Sequence, residues 1–207
     1  MATDKAARVS GGRNTKDRIY EAAHEEFSSK GLSGARVASI AKRADVNIRM
    51  IYYFFESKSK LLDAVLSRIF ERRKAKLQER YDSVGELLVS YFDSYSDDPE
   101  SVRLLQWEAL EMGGEGAARL SSLEDRKVAV QRRVEAIKDL QARGAVADDL
   151  DPTMIYLMLV AMSIYPMTYP QTVFITSGKN PSDADFKARY RAMLEELGER
   201  VFAPRSR

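Results

Sequence analysis

Apolar residues recur along this chain at helical spacing, and no stretch sustains the two-residue alternation with β-branched enrichment that marks a strand. The pattern predicts an all-α fold of about nine helices. Asn14 or Thr15 supplies a start signal, and the helix that follows carries Ile19, Ala22, Ala23 and Phe27 on one face before stopping at Gly31. A second helix over 37–44 places Val37, Ile40, Ala41 and Ala44 at i, i+3, i+4 and i+7, with Lys42 and Arg43 opposite. A third runs from Asn47 to about Phe55. Residues 58–81 read as one long basic helix with Leu62, Val65, Leu66 and Ile69 inside.

Further on, helices are expected over 83–96, from Pro99 to a break at Gly113, Gly114 and Gly116, and over about 120–143, where Gly144 ends the run. Asp151 and Pro152 are an N-cap followed by a first-turn proline, and they open the most apolar stretch, MIYLMLVAMSIY over 154–165. A membrane span takes about 20 apolar residues, so this segment reads as a helix buried on most sides by protein. Pro166 and Pro170 are expected to bend or end it. After a loop through Gly178 and Pro181, a last helix over 183–202 carries Phe186, Tyr190, Met193, Leu194 and Leu197 on one side.

With 207 residues, 44% hydrophobic and 31% charged, the composition is that of a globular protein able to bury a core. The absence of cysteine excludes disulfides, thiolate metal sites and cysteine nucleophiles, and fits an intracellular, cytoplasmic location. Residues 1–13 have no apolar run and read as a loose basic tail rather than a leader or membrane anchor. Charge is divided along the chain. Residues 1–80 hold 18 Lys and Arg against 10 Asp and Glu, whereas residues 81–207 hold 15 against 21, so a +8 region precedes a −6 region. Such asymmetry points the first part toward a polyanion; a solvated charged helix face is the plainer alternative.

The two short helices joined by Asp45, Val46 and Asn47 form a helix-turn-helix candidate. Asp45 tolerates a left-handed backbone, Val46 fits between the helices, and Asn47 caps the third. Ile51, Phe54 and Phe55 fall on the side that packs inward. Tyr52 and Tyr53 then keep their hydroxyls at the surface, where tyrosine is a common phosphate contact.

These residues resemble the TetR-type transcriptional regulators, through TKDRIYEAAHEEFSSKG, then VASIAKRADVN, then IYYFFESKSKLLDAVL, over residues 15–66. The resemblance implies a DNA-binding domain over 14–58, with 59–207 a helical domain that binds an effector and dimerises. It implies a homodimer, joined through the last two helices, whose third helices enter successive major grooves of a pseudo-palindromic double-stranded operator. By position Asn47, Ile48, Arg49 and Met50 face base edges, while Arg36, Val37, Tyr52, Tyr53 and Lys58 hold phosphates. Arg49 can pair both acceptors of guanine. The chain departs from the pattern at Ala35 and Arg36, where a capping hydroxyl is usual, and at Asp45, where glycine is usual.

In the second half, Tyr91, Phe92, Tyr95, Trp107, Met112, Met154, Met158, Met162 and Tyr165 resemble the family's ligand cavity, and each alone is equally read as core packing. Few charged residues accompany them in sequence, which suggests a hydrophobic or aromatic small-molecule effector. His24, the only histidine, reads as structural, and the carboxylates lack metal-ligand spacing, so no enzyme chemistry, metal or cofactor is expected. Two alternatives remain open at this level: a DNA binder whose second half only dimerises or meets a protein partner, and an all-α enzyme or scaffold without duplex affinity.

Overall fold

The computed structural model describes residues 2–76, 80–112 and 123–203, the side chains of 2–14, 76 and 112 excepted. Over those residues the chain forms α1 (Ala2–Gly34), α2 (Val37–Ala44), α3 (Ile48–Phe55), α4 (Lys58–Lys76), α5 (Val84–Ser96), α6 (Pro99–Met112), α7 (Leu123–Ala142), α8 (Pro152–Thr168), α9 (Pro170–Ser177) and α10 (Ala184–Val201). The expected glycine break at 113–116 lies outside the described residues. None of these helices is long and apolar enough to cross a membrane. Two compact units result: a head of Met1–Glu71 with Arg103–Leu123, and a body of Arg72–Val102 with Glu124–Arg207. The division falls inside α4, inside α6 and at the first residue of α7.

In the head, Ile19, Ala23 and Phe27 of α1, Ile40 and Ala44 of α2, Ile51 and Phe55 of α3 and the Leu61–Ile69 stripe of α4 share one core with Leu104 of α6. Helix α1 begins at Ala2 rather than at the expected cap near Asn14; Ala2, Lys5, Ala6, Ala7 and Arg8 are all good helix formers. Its regular ladder breaks at Gly31, which adopts φ 68°. Only glycine fits, because a Cβ there would lie 2.9 Å from the Trp107 ring. The amides of Leu32 and Ser33, freed by the break, donate to the Glu111 carboxylate at 3.2 and 3.0 Å.

A second carboxylate locks α2 in place. Glu26 is 1% exposed; its Oε1 accepts from Lys30 Nζ at 2.8 Å and from the Arg36 amide at 3.2 Å. Its other oxygen lies 3.7 Å from the Arg43 guanidinium. Burial pushes this carboxyl upward, but the Lys30 and Arg36 hydrogen bonds and the Lys30 and Arg43 charges outweigh it and hold the group below the ordinary value of 4.5.

In the body, α5 packs on both α8 and α10 around a core that includes Leu87, Leu88, Phe92, Ile137, Leu140 and Leu159. Where α5 crosses α10, Gly85 and Gly198 bring the two backbones together, and a Cβ on either would collide with the opposite main chain. Helix α4 stops at Lys76 among the described residues rather than near 81, and Tyr81 instead joins the body's core with its carbonyl accepting from Arg143 at 2.6 Å.

One expectation about the apolar stretch is refined and another corrected. Pro166 sits inside α8 and does not end it, and Pro170 opens the additional short helix α9 at its first turn. A mid-helix proline leaves the carbonyl four residues earlier without a donor. Here that carbonyl belongs to Met162, and Tyr190 Oη of α10 donates to it at 2.9 Å. Nor is α8 buried on most sides: Ile155, Tyr156, Leu159 and Ser163 face the core, while Met154, Leu157, Met158 and Tyr165 are 44–56% exposed. An all-round apolar helix here shows two faces, one inward and one outward.

Two outcomes follow for stability. Gly198→Ala should cost about 1–3 kcal/mol or more, read as a lowered urea midpoint, because the added methyl has no room against Gly85. Glu26→Gln should cost about 1–3 kcal/mol at neutral pH. Since the folded carboxyl is held below 4.5, its contribution is complete above that value and is lost as pH falls through the lowered folded value. The stability gap between wild type and Glu26→Gln should therefore close on acidification, and a gap that persists into strong acid would contradict the assignment.

Candidate nucleic-acid interface

The turn between α2 and α3 takes the conformation that its residues favour. Asp45 is left-handed at φ 52°, ψ 54°, and Val46 is half-buried against the head's core, its amide bonded to the Ala41 carbonyl at 3.0 Å. Asn47 is extended and its Oδ1 accepts from the Arg49 amide at 2.9 Å, which starts α3. Eight residues then divide by face. Ile51 and Phe55 are buried and Phe54 partly so, whereas Ile48, Arg49, Met50, Tyr52 and Tyr53 point outward, Tyr53 at 79% exposure.

Cations around this surface fall into two groups. Arg18 pairs with Asp45, Arg43 with Glu25 and Glu26, and Lys60 with Glu56. Among the described residues Arg36, Lys42 and Arg49 are exposed and make no ion pair. Lys58 donates to the Ala35 carbonyl at 3.2 Å, so it also pins the linker between α1 and α2. The first turn of α2 has no side-chain cap and no acidic residue, and Arg36 offers no capping oxygen; its amide goes to Glu26. An uncapped helix start with a cation beside it is suited to a phosphate. Val37 is half-buried on the head's core, at this same edge.

The residues expected at the DNA surface are thus gathered on one small unit, with Asn47 capping α3, Ile48, Arg49, Met50, Tyr52 and Tyr53 on it, Arg36 and Val37 at the start of α2 and Lys58 at the start of α4. Sequence reading gave no role to two residues of this unit. Lys42 was placed on the outer face of α2 without a role, and Glu26 was passed over; an acidic residue directly before the inward Phe27 was the available signal.

The second-half group is not gathered in the same way. Tyr91, Phe92 and Tyr95 lie in the body's core and Met162 packs on it, but Met154, Met158 and Tyr165 lie on the outer face of α8. A spacing of four advances about 40° per step on a helix of 3.6 residues per turn, so the methionine stripe winds from the outside inward. Trp107 belongs to the head, against Gly31, and the Met112 side chain lies outside the described residues. The expectation of few accompanying charges is corrected as well. The Arg73 guanidinium stands 4.7 Å from the Tyr95 ring centroid, and that of Arg133 stands 5.5 Å from Tyr91.

Comparison with known proteins finds matches over both halves of the chain. Residues 19–65 match the family of bacterial regulatory proteins named for tetR, and residues 83–200 match the tetracyclin repressor-like C-terminal domain. The chain is 32% identical over 171 residues to the HTH-type transcriptional repressor SCO4008 of Streptomyces coelicolor, covering 83% of this chain and 88% of that protein. It is likewise 32% identical over 195 residues to the HTH-type transcriptional repressor NicS of Pseudomonas putida, covering 90% and 91%. The fold matches the crystal structure of SCO4942 from Streptomyces coelicolor with a TM-score of 0.74 at 23% identity, over 91% of this chain and 98% of that one. Head and body both answer to one family, and the chain belongs to it: this is a TetR-family DNA-binding transcriptional regulator.

Proposed function

We propose that the protein is a homodimeric repressor that reads a pseudo-palindromic operator with α3 and releases it when a small molecule occupies the body. The observation that carries the reading is the outward face of α3, with Arg49 unpaired beside Ile48, Met50, Tyr52 and Tyr53. In this reading Arg49 pairs with a guanine edge and Ile48 touches a thymine methyl. Arg36, Lys42, Tyr52, Tyr53 and the free start of α2 hold phosphates.

Dimerisation is assigned to the outer faces of α8 and α10. Met154, Leu157, Met158 and Tyr165 on α8 and Met193 on α10 are 44–58% exposed, an apolar surface of the kind that a partner covers. A second copy places two α3 helices one duplex turn, about 34–36 Å, apart. Ligand release acts through this spacing. Helix α4 runs unbroken from Lys58 to Lys76, with its first turns in the head's core and its last in the body, so a ligand that prefers one setting of α4 shifts the DNA-competent population.

Footprinting the purified protein on DNA flanking its own gene should yield a two-fold symmetric site. Binding that engages about 6–10 phosphates should weaken by roughly three to five decades between 50 and 200 mM salt. Arg49→Ala should cost about 1–3 kcal/mol and relax preference at one base pair per half-site, whereas Tyr53→Phe should weaken all sequences alike; equal losses on every sequence from Arg49→Ala would move that residue to the phosphates. Met158→Glu should yield a monomer by sedimentation, with operator affinity falling in step; an unchanged dimer would place the interface elsewhere.

A further inference from the structure

Two guanidinium groups of the body, one buried and one half-buried, have no carboxylate to answer them. Arg73 lies on α4, is 7% exposed, and has no hydrogen-bond partner at Nε or Nη2. Its charge sits against the Tyr95 ring. Arg133, on α7, stands over Tyr91 and donates to Tyr156 Oη at 3.3 Å. Tyr91 Oη is also buried without a partner, and its ring meets that of Tyr156 edge to face at 6.3 Å. Among the described residues neither arginine takes part in an ion pair. The carboxylate whose charge reaches Arg73 is that of Asp98, and its oxygens are committed to the amide and hydroxyl of Ser101, where they start α6.

An unpaired buried guanidinium is unfavourable, and a second one within range of the first makes it more so. Burial pulls Arg73 below its ordinary value, with Arg133 acting in the same direction against Tyr95 and Asp98. Arginine nonetheless keeps its proton, so the charge remains and needs an anion. Burial pushes the Tyr91 hydroxyl well up, which leaves it a neutral donor. The surroundings define the rest of the guest. Tyr91, Tyr95 and Tyr156 present ring faces and edges, suited to a flat apolar group, and the forked donors of a guanidinium match the two oxygens of a carboxylate.

We infer that Arg73, Arg133 and the Tyr91 hydroxyl form the seat for the carboxylate of an aromatic acid, so that the effector is an organic anion rather than a neutral hydrophobe. This rests on the ligand-release reading above and sharpens it. Arg73 belongs to the helix whose earlier turns, Leu61 to Ile69, are fixed in the head's core, so closing its guanidinium on an anion acts on α4 directly.

The test uses the full chain and its operator fragment, with benzoate, 4-hydroxybenzoate and 1-naphthoate each set beside its primary amide, and with inorganic phosphate as a further arm. Thermal shift and calorimetry read binding; fluorescence anisotropy reads operator release. At least one acid should bind about 30-fold or more tightly than its amide, and Arg73→Gln and Arg133→Gln should each remove that preference. Arg73→Met guards against mere misfolding: without ligand it should be as stable as wild type or more so, because it replaces an unanswered charge with an apolar chain. Amides that bind as well as acids, stabilisation by phosphate equal to that by the acids, or no stabilisation by any acid would each overturn the inference. An acid that binds through Arg73 and leaves operator affinity unchanged would remove the release reading and keep the anion seat. An amide that releases the operator as well as its acid would do the reverse.

Discussion

Burying the Glu26 carboxylate removes it from water, and the Lys30 ammonium, the Arg36 amide and the nearby Arg43 guanidinium replace that hydration. The partners come from the last turn of α1 before Gly31, from the start of α2 and from its end. That arrangement leaves α2 few ways to lie on α1, and α3 follows from α2 through a turn of three residues. Apolar packing by Ile40, Ala44, Ile51 and Phe55 supplies the driving force for the head. The carboxylate supplies the register, and with it the direction in which Arg49 points.

The body is organised by a different constraint. Helix α8 is apolar on all sides, so it needs two coverings. One is the core with α5, including the buried Ser163 hydroxyl that donates to the Leu88 carbonyl at 3.2 Å. The outward face, from Met154 to Tyr165, is the covering that the proposed second copy supplies. Placing aromatic rings, the buried Arg73 and the half-buried Arg133 together gives this unit a polar centre that its sequence conceals.

What could be read from sequence was local, and what could not was tertiary. The Asn47 and Asp151 caps, the left-handed Asp45, the break at Gly31, the helix end before Gly144 and the α2 stripe all follow from rules spanning four or five residues, and the structure contains each of them. The outward set of α3 was legible for the same reason, since an eight-residue helix with one apolar face fixes its opposite face. Arg73 and Arg133 were not legible: each sits in a basic, helix-forming run that looks solvated, and only the packing of α4, α5 and α7 brings them to Tyr95 and Tyr91. Trp107 went to the head because Gly31 offered it space, which nothing near Trp107 in the sequence announces. That the helix continues through Pro166 was not legible, because the hydroxyl that rescues it lies 24 residues further on, at Tyr190.

That last pairing also constrains history. A descendant that lost Tyr190 while keeping Pro166 would strand the Met162 oxygen in the middle of a helix, whereas one that first exchanged Pro166 for a residue with an amide would free the phenol at little loss. The two positions can therefore drift apart comfortably in one order only, proline before tyrosine, and the present combination is easier to enter than to leave by the wrong door.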